Sequence, residues 1–391
     1  MAKYITVINE KGQIAVDDTI LVKDYPATAG SKMLENFVPL FSAEAVERLA
    51  ANGYTLSGKT AVGEFGLDLY GETSTNDICA AASLVAEGKV KAALNVDLNG
   101  APRRAAAIKG VTFVKPTYGT VSRYGIISCA ASGEQIGVTA KSAHTAAEIL
   151  GFIAGHDAKD GTSLKGEKYE YKTDIPMDGM KIALVKELYE KADDAVKAKI
   201  DTAAAAYKKA GAEVEEISLA NLDEYKTAWT ILMSAETTNN LSRFDGVKYG
   251  YRTEKYKNID ELYVGSRTEA FGFLTKATII YGSDVLSKGR YDVCYDKALK
   301  IRRKAAEALT ELFTKDGGYD ALLMPAYSTA DFETYDITDA FAKVFEESVF
   351  TAPASITGMP TVVSSGVQLV GDYFCDGKLL SLAKVLEKEE A

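Results

Sequence analysis

Strand-like and helix-like segments alternate along most of the 391-residue chain, and this alternation constrains the fold more than any other feature. The apolar runs VKAALNVD, MKIALVK and YDALLMPA have the length of strands, AEVEEIS is a further predicted strand, and longer helical patterns lie between them. Such alternation is typical of an α/β layer fold. No internal repeat or low-complexity linker interrupts it.

Local patterns predict the ends and faces of several elements. Ser42 is placed to cap a helix that Gly53 ends, and the strand YTLSGKT follows with Lys59 near its end. The stretch PTVVSSGVQLVG predicts a closing strand, and KSAHTAAEILGFIAG predicts an amphipathic helix. A helix over ADDAVKAKIDTAAAAYKKAG is predicted to bury Val196, Ile200, Ala203 and Tyr207.

The charge and the cysteine pattern argue against several classes of function. A net charge of −10 would repel a phosphate backbone, so we expect no direct nucleic-acid binding. The amino-terminal residues lack the apolar core of a signal peptide, and no apolar run has the length of a membrane span, which favours a cytoplasmic protein. Four cysteines form no CxxC pair and are predicted to be reduced and buried: Cys79, Cys129, Cys294 and Cys375.

The decapeptide NVDLNGAPRR, residues 95–104, follows a predicted strand and precedes a predicted helix. Sites in α/β sheets are commonly built at the carboxyl ends of strands, so this loop is well placed for chemistry. None of its ten side chains carries a hydroxyl, however. Asp97 is predicted to bond nearby backbone, and Pro102 restricts Ala101 towards extended conformations. Only His144 and His156 occur in the chain, which argues against a Ser-His-Asp triad or a histidine-based metal site, and we expect no cofactor.

Seven stretches carry a resemblance to a known family, and they occur in that family's order. They are SKMLENFVPLFSAEAVERL, GKTAVGEF, KPTYGTVSRYGII, IAGHDAKDGTS, SAETTNNLSRFDGVKYGYR, KGRYDVCYDKALKIRR and GVQLVGDYF. From about residue 20 onwards the chain resembles the amidase signature family, and within it the amidotransferase A-subunit branch. This resemblance implies a single α/β domain over residues 1–391, with a central mixed sheet covered by helices. The family's usual amino-terminal helical segment has no counterpart, and the carboxyl end stops early.

The resemblance also implies where a catalytic triad of two serines and a lysine should lie. In such a triad a neutral lysine draws a proton through a bridging serine from the nucleophilic serine, while backbone N–H groups hold the oxyanion. The lysine falls on Lys59. The family motif D-T-G-G-S-I-R aligns without gaps with DLNGAPR, which sets Asp97 on its aspartate and Ala101 on the nucleophilic serine. A methyl group cannot attack a carbonyl.

The bridging serine belongs to a GGSSGGS loop that is shortened here to TSTNDICAAAS. Counting back from Ala101 places Asp77 on this serine, with Ser74 and Ser83 as alternatives because the register around residues 72–80 is open. A carboxylate beside Lys59 would raise the pKa of its amine and keep it charged. A buried ion pair that fills a former pocket is the favoured interpretation, and a new catalytic couple is the alternative.

The substrate-binding positions implied by the resemblance are also altered. The glutamine-binding tyrosine falls on Trp229, the carboxylate-binding arginine on Thr278, and the amine-binding aspartate near Ser348. A zwitterion needs opposing charges, and both are missing. Retained features such as Arg123, Tyr124 and RFDGVKYGYR are interpreted as scaffold or subunit contacts.

These observations lead to one function hypothesis and two alternatives. The leading hypothesis is a degenerate, non-hydrolytic homologue that acts as a scaffold or as the partner of an amidotransferase B-subunit-like protein, or that binds an unknown small molecule. One alternative is an enzyme of altered chemistry that reuses the pocket with Lys59, Asp77 and Asp97. The other is an amidotransferase subunit with residual amidase activity.

Overall fold

The computed structural model describes residues 4–70, 80–166, 169–315, 318–331 and 335–387. The strands within these residues are β1 (Tyr4–Val7), β2 (Ile14–Asp17), β3 (Leu56–Thr60), β4 (Ala92–Asp97), β5 (Thr112–Lys115), β6 (Gln135–Ala140), β7 (Lys181–Val185), β8 (Glu213–Ile217), β9 (Ala321–Met324), β10 (Thr361–Ser364) and β11 (Val367–Val370). They form one sheet in the order β1-β3-β2-β4-β6-β5-β10-β11-β9-β7-β8.

Helices cover both faces of this sheet. They are α1 (Glu44–Ala51), α2 (Ala80–Ala86), α3 (Ala101–Lys109), α4 (Ala143–Ile153), α5 (Lys186–Lys191), α6 (Asp194–Lys209), α7 (Leu222–Leu241), α8 (Ile259–Ala270), α9 (Phe273–Val285), α10 (Lys297–Thr314), α11 (Ala340–Glu347), α12 (Ala352–Thr357) and α13 (Asp376–Leu386). The α/β prediction with a central mixed sheet is confirmed.

The sheet is mixed because two parallel groups are joined by antiparallel strands. β3, β2 and β4 are parallel neighbours, as are β9, β7 and β8. The strands between these groups, β6, β5, β10 and β11, pair antiparallel to their neighbours. The carboxyl ends of β2, β3 and β4 therefore meet at one edge of the sheet, which we call the polar edge.

Alternating side chains divide the core between the two faces, as the period of two in a strand requires. On one face Val16 and Leu94 pack in a cluster with α4, α6 and α13. On the other face Ala15 and Ala93 pack with α2 and α3. Small residues predominate on this second face, so α2 and α3 lie close to the strands that carry the polar edge.

The buried face predicted for α6 is confirmed, since Val196, Ile200, Ala203 and Tyr207 are its buried residues. No helix among the described residues is long and apolar enough to cross a membrane.

Three local predictions are wrong. Ser42 does not cap α1, because its hydroxyl accepts a hydrogen bond from the backbone N–H of Lys23 and Ala43 occupies the cap position. PTVVSSGVQLVG forms a hairpin of β10 and β11 rather than one strand, because Ser365 and Gly366 both adopt positive φ, as a two-residue hairpin turn requires. Among the free cysteines of the described residues, Cys129 is buried, but Cys294 and Cys375 are only partly buried.

Candidate functional site

The polar edge brings together charged side chains from three neighbouring strands. Asp17 ends β2, Lys59 is the last residue but one of β3, and Asp97 ends β4. All three are buried, with exposed fractions of 3%, 0% and 0%. Parallel strands place these residues at one edge, which is where α/β proteins commonly build their sites.

Lys59 is held in a buried ion pair with Asp18. Its Nζ atom lies 3.2 Å from Oδ1 of Asp18 and donates to the Asp18 carbonyl oxygen at 3.4 Å. The sequence predicted Asp77 as the partner, but Asp77 and Ser74 lie outside the described residues. Burial lowers the pKa of the Lys59 amine, and it outweighs the opposing effect of Asp18. The net direction therefore differs from the one expected for a lysine beside a carboxylate.

The decapeptide turns sharply into α3 at Gly100. Asp97 accepts a hydrogen bond from the Gly100 N–H at 3.1 Å, which agrees with its predicted bond to nearby backbone. Gly100 adopts a φ of +89°, and a Cβ there would lie 2.4 Å from Cγ2 of Thr351. Ala101 is the first residue of α3, so the extended conformation predicted for it is wrong. Pro102 is tolerated because its missing N–H falls in the unpaired first turn.

Two buried arginines of α3 hold this turn in place through hydrogen bonds. Arg103 binds both carboxylate oxygens of Asp97, through Nε at 2.8 Å and Nη2 at 3.0 Å. Arg104 donates through Nη1 to the Asn99 carbonyl at 2.9 Å and through Nη2 to the Thr351 hydroxyl at 3.0 Å. No role was predicted for these arginines, although two adjacent cations in an alanine-rich helix are an unusual pattern. They anchor the backbone that presents Ala101.

A small cavity of about 30 Å³ lies beside Ala101. Its described lining residues are Asp17, Thr19, Val62, Phe65, Gly66, Asn95, Val96, Leu98, Ala101, Pro102, Ile127 and Glu134. Neither Lys59 nor Asp97 is among the described residues that line it. Pockets for small-molecule ligands typically measure about 300–1,000 Å³, so this cavity is too small for an amino acid.

Four polar lining residues were not predicted from the sequence: Asp17, Thr19, Asn95 and Glu134. For Asp17 the sequence does contain a signal: in IAVDDTI two adjacent acidic residues follow the short apolar run IAV. Thr19 carries the one hydroxyl among the described lining residues, and this hydroxyl donates to Asp17. Asp17 also accepts from the Val96 N–H at 2.6 Å, which ties β2 to β4.

Both cavity carboxyls are buried and bound to backbone. Burial raises the pKa of Asp17 to about 6, against the lowering effect of its hydrogen bonds from Thr19 and Val96. Burial likewise raises the pKa of Glu134, which accepts hydrogen bonds from the N–H groups of Cys129 and Ala130. These acids hold loops in place. No group of three potential metal-binding side chains occurs in the part of the chain that the structure describes.

The three residues predicted at substrate-binding positions are buried, and their polar groups are hydrogen-bonded away from the cavity. Trp229 donates from Nε1 to Oδ1 of Asn99 at 2.9 Å. The hydroxyls of Thr278 and Ser348 donate to backbone carbonyls of their own helical segments. Ser83 lies buried in α2. Of the predicted site residues that the structure describes, Ala101 alone lines the cavity.

Comparisons with known proteins agree with this architecture. A family model described as Amidase matches residues 13–77 and 81–380. The glutamyl-tRNA(Gln) amidotransferase A-subunit from Halothermothrix orenii is 36% identical over 96% of this chain and 84% of its own length. The A-subunit from Thiobacillus denitrificans is 37% identical over 95% of this chain and 81% of its own.

Solved structures show the same likeness. The crystal structure of the glutamyl-tRNA(Gln) amidotransferase A-subunit from Thermotoga maritima superposes with a TM-score of 0.80 at 27% identity, covering 99% of this chain and 87% of that one. The peptide amidase from Stenotrophomonas maltophilia shares the fold, with a TM-score of 0.75 at 23% identity over 96% of this chain and 82% of that one. The matched family model and these relatives, together with the mixed sheet and its polar edge, establish that the chain belongs to the amidase signature family.

Proposed function

We propose that this chain is a non-hydrolytic member of the amidase signature family that acts as a scaffold or partner subunit. The observation that carries the proposal is Ala101, whose methyl group stands at the start of α3 beside a cavity of about 30 Å³. Nucleophilic catalysis needs a side-chain oxygen, sulfur or nitrogen atom at such a position, and alanine has none.

Charged groups of the polar edge and of the cavity support this proposal because they are already bound to other groups of the protein. Asp97 is bound by Arg103, Lys59 is paired with Asp18, and Glu134 accepts from two backbone N–H groups. A general base must be able to reach the proton that it removes in a plausible substrate pose. These groups instead hold the polar edge together, as a structural role requires.

Amide hydrolysis is the activity to measure. We expect no ammonia release from glutamine or propionamide by the purified protein, and none after Ala101→Ser, because the small cavity excludes the substrate. Ammonia can be followed with a coupled glutamate dehydrogenase assay. Release by the wild type that is lost in Thr19→Val, a variant of matched shape without the hydroxyl, would contradict the proposal.

The partner role rests on the names of the relatives, each of which is the A-subunit of an amidotransferase. A B-subunit-like protein is the partner that this likeness suggests. The net charge of −10 fits a subunit that leaves RNA contact to another chain. Failure of this chain to co-elute with a co-expressed B-subunit-like protein from the same organism would count against this role. We also propose that residues 1–391 form a single amidase-like domain.

A second candidate is an enzyme of altered chemistry, and the contact between Thr19 and Asp17 favours it. The Thr19 hydroxyl donates to a carboxyl whose pKa is about 6, which is the arrangement of a nucleophile beside a base. A metabolite screen by thermal shift tests this alternative. Compounds that stabilise the wild type but not Thr19→Val would support it, and their absence would remove it.

A further inference from the structure

A second and much larger pocket adjoins the Ala101 cavity and shares one lining residue with it. Its volume is about 610 Å³, within the range of small-molecule binding sites. Its described lining residues are Leu21, Met33, Leu34, Asn36, Phe37, Ile126, Ile127, Arg243, Phe244, Tyr249, Gly250 and Tyr251. Ile127 lines both spaces, and Phe65 of the small cavity stacks on Phe244 of the large pocket at 5.9 Å between ring centroids.

Two segments singled out in the sequence build this pocket. SKMLENFVPLF supplies Met33 and Phe37, and RFDGVKYGYR supplies Arg243 to Tyr251. The Tyr251 N–H donates to the Met33 carbonyl at 2.9 Å, which joins the segments. Gly250 adopts a φ of +90°, and a Cβ there would lie 2.7 Å from Sδ of Met33. The same Cβ would lie 3.1 Å from the Met33 carbonyl oxygen, so both the positive φ and the close backbone approach favour glycine at this position.

The pocket is apolar apart from a few groups, and Arg243 supplies its cation. The Arg243 guanidinium donates from Nη2 to the Ser128 carbonyl at 2.9 Å and lies 5.0 Å from the centroid of the Phe244 ring. No carboxylate of the described residues forms an ion pair with it. Most of its N–H donors therefore remain open to a ligand.

Arg243 also lines an adjoining polar pocket, and it differs from the other two cations there in its ion pairing. This pocket of about 330 Å³ shares Ile126 and Arg243 with the apolar one, and it also contains Arg123 and Lys159. Arg123 is paired with Asp160 at 3.4 Å, and Lys159 with Glu44 at 2.6 Å. Two of the three cations are thus already neutralised. Of these three cations, only Arg243, which also lines the apolar pocket, has no ion-pair partner among the described residues.

We propose that the 610 Å³ pocket binds a small carboxylate with an apolar, preferably aromatic, body. The carboxylate would bind the Arg243 guanidinium through two parallel hydrogen bonds, a geometry that suits arginine. The body would pack among the side chains of Phe37, Phe244 and Tyr249. This inference does not depend on the proposed function, because the pocket lies outside the Ala101 cavity and requires no hydrolysis.

The experiment compares 4-phenylbutyrate with 4-phenylbutan-1-ol by isothermal titration calorimetry on the full chain. The two probes share the body and differ in the charged group. We expect 4-phenylbutyrate to bind wild type at one site and more tightly than the alcohol. Arg243→Gln should weaken the carboxylate by about tenfold or more and leave the alcohol unchanged, because a hydrogen bond to a charged group is lost. Arg303→Gln, which removes the same charge from α10, serves as the matched control and should change neither affinity.

A second variant tests the location independently of charge. Asn36 is exposed and lines the pocket, so Asn36→Trp fills the space with little effect on folding and should abolish binding of both probes. The proposal is overturned if wild type shows no saturable binding of 4-phenylbutyrate at millimolar concentration. It is also overturned if Arg243→Gln and Arg303→Gln bind it alike, or if Asn36→Trp, folded by its thermal transition, binds both probes as wild type does. Because the calorimetric titrations measure binding and not ammonia release, their outcome is independent of the test of the proposed function.

Discussion

At the scale of single residues, the pair of Asp97 and Arg103 decides how the decapeptide is held. Both side chains are fully buried, and Arg103 further donates to the Thr351 carbonyl at 3.0 Å and to the Ser355 hydroxyl at 2.6 Å. A buried ion pair of this kind contributes modestly as a whole, because desolvation offsets much of the attraction. Loss of one partner is costly because the other charge remains buried.

Asp97→Asn should therefore lower the free energy of unfolding by roughly 3–5 kcal/mol. The matched control is Glu307→Gln in the exposed pair with Arg303, where the loss should stay below about 1 kcal/mol. Urea unfolding monitored by circular dichroism measures both. Equal losses in the two variants would show that the buried pair is not held as the structure describes.

At the scale of elements, the start of α3 depends on a glycine that cannot be replaced without strain. Gly100 and Gly110 flank this helix, and both adopt positive φ, of +89° and +68°. A Cβ at Gly110 meets nothing within 4 Å, whereas one at Gly100 meets Thr351. Both positions thus require a positive φ, but only Gly110 has room for an added methyl group.

This difference gives a matched pair of substitutions. Gly110→Ala should cost about 1–2 kcal/mol from the left-handed backbone alone. Gly100→Ala should cost roughly 1–3 kcal/mol more, because Thr351 must move. The two thermal transitions can be compared by scanning calorimetry, and a larger loss in Gly110→Ala than in Gly100→Ala would contradict the packing of α3 against α12.

At the scale of the whole molecule, the polar edge extends along the sheet to Lys115 at the end of β5. This lysine is fully buried and donates to the Met359 carbonyl at 2.5 Å. Burial and the nearby Arg103 lower the pKa of Lys115 to about 7, while Asp97 and Asp376 oppose them. The folded protein therefore holds this amine neutral at a pH where the unfolded chain holds it charged.

The stability of the protein should consequently rise with pH above about 7. Between this value and about pH 9.5 unfolding takes up a proton at Lys115, so the unfolding free energy gains up to about 1.36 kcal/mol per pH unit from this group. Lys115→Met, of similar length, should remove this part of the slope. Urea unfolding at several pH values measures it, and parallel curves for wild type and Lys115→Met would refute the assignment.

Local patterns in the sequence predicted the α/β alternation, several of the helices and strands, and the family, but less of the site. The face of α6 followed from the spacing of Val196 to Tyr207, because a helix buries residues at a fixed period. The missing hydroxyl at Ala101 was equally visible. The surroundings of Ala101 were not, since Asp17 and Glu134 reach the cavity from segments far away in the chain.

The sequence by itself determined the α/β alternation, the family and the methyl group at position 101, because each depends on residue type and local spacing. Only the tertiary structure decided that Lys59 pairs with Asp18, that Arg103 binds Asp97 under α12, and that Arg243 stands beside an apolar pocket without a carboxylate among the described residues to pair with it. The physical reason is that charge pairing and burial depend on distances between segments, and the order of strands in the sheet sets those distances.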